Sequence, residues 1–396
     1  MTRSDQTGGA GLAGRQLVAL RRNALALTIG SLLLVGLWLV PDLTPAPETP
    51  PPVALAHGRI VAFIPDSEDP SLPDVVIEVI GGPLSGDLVE GYLQGPSGQQ
   101  DIPDYRVGDE VVVSLATGPD STFVAVSDRY RVPLFAIVIG LFAIAVTVVA
   151  GWRGIRSLLA LALTLAVVGK IVVPLLLAGW DPVTLAVAAG TAVTLVTIFL
   201  TEGVRLTSLV AVAGTFAALA LTASLAAIVN GLAGFTQYQG QEAAVFLQSM
   251  GREDLNINGL LLAAVIFGAL GVLDDVTVTQ AATVHELAAA DPQAGPRTLF
   301  LRAMNVGRSH IAATVNTLVL AYLGASLPLL VLFAAGGADP LLIASGEVVA
   351  VEVVRAVVGS IGIVAAVPLT TAIAVLVVQS GPWRSAGLAL RRERTL

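Results

Sequence analysis

The chain has 396 residues, of which 55% are hydrophobic and only 13% are charged, and its formal net charge is −8. A soluble globular protein carries about 25% charged residues, so this composition excludes an ordinary soluble domain and indicates a protein of the lipid bilayer. The absence of cysteine and the presence of only three histidines exclude disulfide bonds, thiolate metal sites, cysteine nucleophiles and a histidine metal cage.

Eight stretches of the chain are each long and apolar enough to cross a bilayer, which takes about 20 residues. They lie near residues 24–41, 132–151, 157–179, 183–200, 206–230, 257–275, 311–334 and 356–378. Arginines precede the first stretch and no small-residue cleavage site follows it, so we expect a retained anchor rather than a removed signal peptide. The predicted fold is an all-α polytopic membrane bundle of about eight transmembrane helices, with a small β-rich extracytoplasmic domain after the first span.

Arginine positions indicate the orientation of this bundle, because short cytoplasmic loops are enriched in positive charge. Fourteen arginines lie on the side of the N-terminus, whereas Arg252 is the only one in the short loops of the opposite side. We therefore expect both termini and the 276–310 loop to be cytoplasmic. The chain is therefore predicted to have four parts. These are the cytoplasmic N-terminus with the first helix (1–41), an extracytoplasmic domain (42–131), a seven-helix transmembrane domain (132–380) and a basic cytoplasmic tail (381–396).

Residues 42–131 differ in composition from the rest of the chain. A Pro-rich linker, PDLTPAPETPPP, is followed by five short β-type runs that turn residues separate, which predicts a small barrel of the OB or SH3-like type. The segment carries fifteen acidic residues against four arginines. This charge could attract cations or a basic partner, or serve only as a solvated surface, and it argues against a nucleic-acid partner.

The only lysine of the chain, Lys170, lies inside the third apolar stretch. It is about 10 residues from Trp180 and therefore roughly 15 Å below the predicted outer interface. An ionisable group inside a span costs about 2.5–3.5 kcal/mol on insertion scales. We therefore expect Lys170 to face the bundle interior and to find a carboxylate there, either as a structural ion pair or as part of a substrate path.

Two adjacent aspartates end the sixth apolar stretch, in GALGVLDDVTVTQ. Helical periodicity places six residues on one stripe of this helix, and along the chain they change from small to polar. This stripe consists of Gly268, Gly271, Asp275, Thr279, Ala282 and Glu286. Asp274 points about 100° away from it, which predicts that Asp275 serves a ligand path and that Asp274 is secondary. The alternative is that the span ends at Leu273 and leaves both carboxylates in interfacial water.

The seventh stretch repeats this pattern, with His310, Thr314, Thr317, Ala321 and Gly324 on one stripe and Asn316 beside it. Such groups either hold neighbouring helices together or coordinate a ligand. The candidates for a substrate or ion path are Asp275, Asp274, Thr279, Glu286, Thr314, Asn316, Thr317 and Lys170. At the start of the last span, Glu352 and Arg355 lie one helical turn apart and are expected to form a local ion pair. Pro368 is expected to kink this span.

Motifs of known catalytic or nucleotide-binding sites are absent from the sequence. HELAA at His285 lacks the second histidine of HExxH, and no P-loop, GxGxxG or GxSxG is present. We therefore expect no cofactor, no catalytic residue and no ATP-driven transport by this chain, while the identity of any bound metal ion is left open. An intramembrane enzyme is the weakest hypothesis, because the spans contain only one acidic cluster.

Three segments of the sequence resemble the YibE/YibF-like bacterial membrane proteins. They are GALGVLDDVTVTQAATVHEL, GRSHIAATVNTLVLAYLGASLPLL and SGEVVAVEVVRAVVGSIGIVAAVPLTTAIA, within roughly residues 130–380. The sharpest matches are Gly271, Asp275, Glu286, Gly307, Arg308, Asn316, Thr317, Leu318, Ala321 and Tyr322. The resemblance implies a bacterial plasma-membrane location, transport of an unidentified cargo, and a recurrent aspartate at Asp275 with Asp274 as a variable addition. It implies no catalytic residues.

The function most consistent with these patterns is that of a secondary transporter or exporter, driven by an ion gradient, of a small solute or ion. One alternative is a non-transporting receptor or assembly partner that acts through its β-domain. The expected partners are the lipid bilayer and the cargo, and a homo-oligomer is compatible with the sequence. Convergence of Asp275, Asn316 and Lys170 on one cavity would favour transport.

Overall fold

The computed structural model describes residues 24–44, 53–64, 74–93, 104–117, 122–235, 255–337 and 339–380. The predicted basic tail, most of the Pro-rich linker and the loop with Arg252 lie outside the described residues. The chain divides into two compact units, of which one is Ala46–Val148 and the other combines Met1–Pro45 with Val149–Leu396.

A closed five-stranded β-barrel forms most of the first unit. Its strands are β1 (Val53–Phe63), β2 (Val75–Gly81), β3 (Leu88–Leu93), β4 (Glu110–Thr117) and β5 (Thr122–Arg129). Their order around the barrel is β1-β2-β3-β5-β4, and every neighbouring pair is antiparallel except β3 and β5. The prediction of a small five-stranded barrel is confirmed.

The barrel core follows from the two-residue period of its strands. In β2, Val75, Ile77 and Val79 are buried, while Glu78 and Ile80 between and beyond them are exposed. Strand β1 pairs with β4 through Val53–Arg59 and with β2 through His57–Phe63.

At Gly58, β1 lies close to side chains of both strands with which it pairs, β2 and β4. The register of the pairing with β2 shifts between His57 and Gly58. A Cβ at position 58 would lie 2.6 Å from Cγ2 of Ile77, so only glycine fits there without a shift of the neighbouring side chain.

The remaining described elements are helical. They are α1 (Ala24–Leu39), α2 (Val132–Val167), a π-helical segment (Val168–Val172), α3 (Val173–Leu177), α4 (Pro182–Thr201), α5 (Leu206–Ala233), α6 (Ile257–Ala290), α7 (Pro296–Ala325), α8 (Leu327–Ala335), α9 (Pro340–Ser345) and α10 (Glu347–Gln379). Gly151 interrupts α2 with non-helical dihedral angles, φ 56° and ψ −137°.

Five helical segments of the described residues are long and apolar enough to cross a membrane, or six if α7 and α8, bent by 56°, count as one span. One of these segments, Val132–Leu177, contains two of the predicted stretches, and α1 falls below the length of a full span. The predicted membrane-helix class with a small β-barrel is therefore supported, whereas the count of eight spans is not confirmed.

Helix α6 is the centre of the helical unit, because it packs against α4, α5, α7 and α10. The core between these helices is apolar, and Leu219, Ile266, Leu273 and Ile363 are fully buried in it. Helix α10 continues as one helix from Glu347 to Gln379 through Pro368. Polar side chains within this apolar core are the features from which a functional site can be built.

Candidate functional site

Asp274 lies near the midpoint of α6, on the face that packs against α4. Its Oδ1 accepts a hydrogen bond of 2.8 Å from Oγ1 of Thr194, and its Oδ2 accepts one of 3.5 Å from Oγ1 of Thr197. The two threonines are three residues apart on α4 and thus share one face of that helix. Among the described residues, Asp274 forms no ion pair with a basic side chain.

Two further threonines complete this group of hydroxyls. Oγ1 of Thr215, on α5, lies 2.8 Å from Oγ1 of Thr277, on α6. Thr277 in turn donates to the backbone carbonyl of Asp274 at 3.2 Å. Thr194, Thr215 and Thr277 are completely buried. We call Asp274 and these four threonines the Asp274 cluster.

Gln280 extends the polar face of α6 by one helical turn beyond Thr277. Its Nε2 donates to the carbonyl of Ala303 on α7 at 3.0 Å and to Oγ1 of Thr371 on α10 at 2.7 Å. Helix α6 therefore makes polar contacts with all four of its neighbours from one buried side.

Most of these residues were not among the sequence candidates. Of the residues in the cluster only Asp274 is among those candidates, and Thr194, Thr197, Thr215, Thr277 and Gln280 are not. A weak signal exists in hindsight, because hydroxyl residues recur every three positions on α4 and polar residues do so on α6, each within an apolar helix.

The structure places Asp274, and not the Asp275 that the sequence pattern favours, in hydrogen bonds with a neighbouring helix. Asp275 is exposed on α6 and has no hydrogen bond to Asn316 or Thr317, and His310 of α7 is its electrostatic neighbour. The predicted 100° offset is present, because α6 is helical without a break from Ile257 to Ala290. The face of α6 that carries Asp274 packs against α4 and α5.

The remaining members of the predicted stripes do not gather around Asp275. Tyr322 of α7 lies against Gly268, so the glycine does allow a close approach, but nothing lies within 4 Å of the Cβ position of Gly271. Thr279 and Glu286 are exposed on α6.

On α7, the two candidate hydroxyls are used within the helix itself. Thr314 donates to the carbonyl of His310 at 2.8 Å, and Thr317 donates to that of Ala313 at 3.0 Å. Asn316 is exposed. The described structure therefore gives no hydrogen bond between these α7 candidates and the Asp274 cluster.

Within the described part of the chain, Lys170 binds backbone carbonyls and forms no ion pair with the carboxylate that the sequence predicts. Its Nζ donates to the carbonyl of Trp38 at 2.9 Å and to that of Val40 at 3.3 Å, at the end of α1. The last carbonyls of a helix lack partners within the helix and carry a negative partial charge, so they can satisfy an ammonium without a carboxylate. Asp42, just beyond α1, lies close enough to add a weaker electrostatic attraction.

Replacing Lys170 with methionine is expected to lower the free energy of unfolding by about 1–2 kcal/mol, because the carbonyls at the end of α1 lose a cationic donor. Thermal unfolding of the detergent-purified protein measures this effect. Lys170→Arg, which keeps a cationic donor, should lose less stability. Equal stability of the methionine variant and the native protein would show that the contact does not stabilise the fold.

Glu352 and Arg355 form the predicted ion pair at the start of α10. Nη1 of Arg355 donates to both carboxylate oxygens of Glu352, at 2.8 Å and 3.0 Å. The described residues include no group of three or more histidine, aspartate or glutamate side chains placed to hold a metal ion. Convergence of Asp275, Asn316 and Lys170, which would favour transport, is not seen, because Lys170 binds carbonyls at the end of α1.

Comparison with known proteins gives one match. The model of the family described as YibE/F-like protein matches residues 138–380. No curated protein and no solved structure matches the chain. The matched segment reaches from α2 to the end of α10 and includes the whole Asp274 cluster.

Proposed function

The chain belongs to the YibE/F-like family, and on this premise we propose that it is a secondary transporter that uses an ion gradient to move a small solute or ion across the membrane. The observation that carries the proposal is the Asp274 cluster, which places one carboxylate and four hydroxyls inside an apolar helical bundle. Ionisable groups in such positions are costly, and ion and proton pathways are their usual role.

The contacts of Asp274 support an ion-binding role. A carboxylate without a basic partner in an apolar bundle is stabilised when it binds a cation or a proton. Each threonine hydroxyl can donate to the charged carboxylate, accept from the neutral acid or offer its oxygen to a cation. Because the ligating groups come from α4, α5 and α6, occupancy of the site would change how these three helices attract one another.

The proposal includes eight spans in a bacterial plasma membrane. A straight helix over the 46 residues of Val132–Leu177 would be about 69 Å long, twice the roughly 30 Å of a bilayer core, so we divide it at Gly151 into two spans. Together with α1, α4, α5, α6, the pair α7–α8 and α10 this makes eight. The arginine distribution then places both termini in the cytoplasm and the barrel outside the cell.

Cysteine labelling tests this topology, since the chain has no cysteine of its own. Cysteines introduced at Ser85 in the barrel and at Asp339 before α9 are expected to react with a membrane-impermeant thiol reagent in intact cells. A cysteine at Gln293, in the exposed turn between α6 and α7, should react only after the cells are opened. Labelling of position 293 in intact cells would reverse the orientation.

The function itself can be tested with a ligand-stability screen on the purified protein. Sodium, potassium, protons, divalent cations and a panel of small metabolites are added to the native protein and to Asp274→Asn. A compound that raises the melting temperature of the native protein alone is then tested for uptake into proteoliposomes. The proposal fails if no compound acts through Asp274, or if those that do are not transported.

A second candidate function is ligand or partner binding by the barrel. Tyr92 of β3 and Phe123 of β5 stack with ring centroids 4.7 Å apart, and Phe123 is 42% exposed. An aromatic pair at a surface is suited to packing against a partner. A compound in the same screen whose effect is lost in Phe123→Ala and kept in Asp274→Asn would favour this alternative.

A further inference from the structure

Helices α5 and α10 pack against each other, and at two of their contacts a glycine of one helix faces a threonine of the other. A Cβ on Gly214 of α5 would collide with the side chain of Thr370 of α10, and a Cβ on Gly362 of α10 would collide with that of Thr222 of α5. The two contacts are spaced by the same number of residues on both helices. The two helices are antiparallel, because the later residue of α5, Thr222, meets the earlier residue of α10, Gly362.

The same segments share a sequence pattern. Residues 214–222 read GTFAALALT and residues 362–370 read GIVAAVPLT, so both fit G-x-x-A-A-x-x-L-T. Ala218 and Ala366, halfway between the two contacts on their helices, are both completely buried. An approximate two-fold axis that passes between these alanines therefore relates α5 to α10.

We infer that α5 and α10 are equivalent members of an internal inverted repeat, and that their crossing at Ala218 and Ala366 is the pivot about which the bundle changes between two conformations. In an inverted repeat, two equivalent helices run in opposite directions through the membrane. Each can therefore adopt the conformation of the other, which opens the protein to the opposite side. Inverted repeats are used in this way in secondary transporters.

Neither threonine of the crossing forms a hydrogen bond from one helix to the other in the described structure. Thr222 donates to the carbonyl of Ala218 within its own helix at 2.8 Å. The Thr370 hydroxyl is buried without a hydrogen-bond partner. Small side chains with no bond across the interface allow one helix to tilt against the other at a low cost in energy.

The crossing is also connected to the Asp274 cluster through neighbouring residues. Thr215, next to Gly214, contacts Thr277 of α6, and Thr371, next to Thr370, accepts the hydrogen bond from Gln280 of α6. One hydroxyl from each member of the pair therefore holds the polar face of α6. A tilt of α5 against α10 would move Thr215 relative to Thr371 and so change the surroundings of Asp274.

Spin-label distances at the two ends of the pair test this inference. The pair Leu209 and Leu376 marks one end and the pair Ile228 and Val353 marks the other, and all four side chains are about half exposed or more. Each pair is changed to cysteine in the full chain and labelled. Distances are compared between the native background and Asp274→Asn, which imitates a neutralised site.

Rocking about the crossing predicts that one end-to-end distance increases and the other decreases, by about 2 Å or more. Thr215→Val, which removes the α5 hydroxyl, should cause the same opposed shifts and serves as a second variant. Gly214→Ala should suppress them, whereas Gly359→Ala, whose Cβ would find its nearest neighbour at 3.9 Å, should not. Unchanged distances, or shifts of the same sign at both ends, would overturn the inference whether or not a cargo has been found.

Discussion

Asp274→Asn is expected to weaken ligand binding strongly and to abolish transport while the protein keeps its fold. Asparagine has nearly the shape of aspartate and still offers an oxygen to Thr194, so the helices α4 and α6 should remain packed. The lost charge removes an interaction with the bound ion that is worth about 1.5–3 kcal/mol or more, which corresponds to a loss of affinity of about 10-fold to beyond 100-fold. Isothermal titration calorimetry with the compound found in the stability screen measures the loss of affinity. Uptake of the same compound into proteoliposomes measures the loss of transport.

Asp275→Asn is the matched control, because it makes the same chemical change one residue further along α6. Asp275 is exposed and has no hydrogen bond to the threonines of the cluster, so its replacement should change affinity by only a few fold. Unfolding temperatures of both variants should stay close to that of the native protein. A stronger effect at Asp275 than at Asp274 would return the functional role to the residue that the sequence pattern favoured.

Ile77→Ala is expected to be the most destabilising single change in the barrel, at about 2–5 kcal/mol of unfolding free energy. Ile77 is fully buried, and its Cγ2 and Cδ1 methyl groups fill the space over Gly58 and Gly91, at 2.6 Å and 3.0 Å from the Cβ positions of these glycines. Neither glycine has a side chain that could move into the resulting cavity, so the cavity should persist.

The effect of Ile77→Ala can be measured in the full chain through the reactivity of a cysteine placed at Val113, a completely buried core position of β4. The concentration of denaturant at which this cysteine reacts should fall markedly. Ile80→Ala on the same strand removes the same atoms from a side chain that is 39% exposed and should cost less than about 1 kcal/mol. Similar shifts in both variants would show that burial of Ile77 does not control barrel stability.

Local patterns of the sequence were sufficient for several features. Composition and the length of apolar runs predicted a membrane-helix class, because the bilayer sets both the polarity and the length of a span. Alternating side chains between turn residues predicted the barrel, since a strand repeats every two residues. The ion pair of Glu352 and Arg355 followed from helical spacing alone, as both groups lie on one turn of α10.

Helical periodicity also placed Asp274 and Asp275 on different faces of α6, but it could not say which face would be buried. That depends on where α4 and α5 pack, and contacts between distant segments leave no periodic trace in α6 itself. Thr194 and Thr197 come from another helix, so only the tertiary structure could bring their hydroxyls to Asp274. Lys170 shows the same division: its depth in an apolar stretch predicted that it needs a partner, while the arrangement of α1 supplied backbone carbonyls in place of a carboxylate.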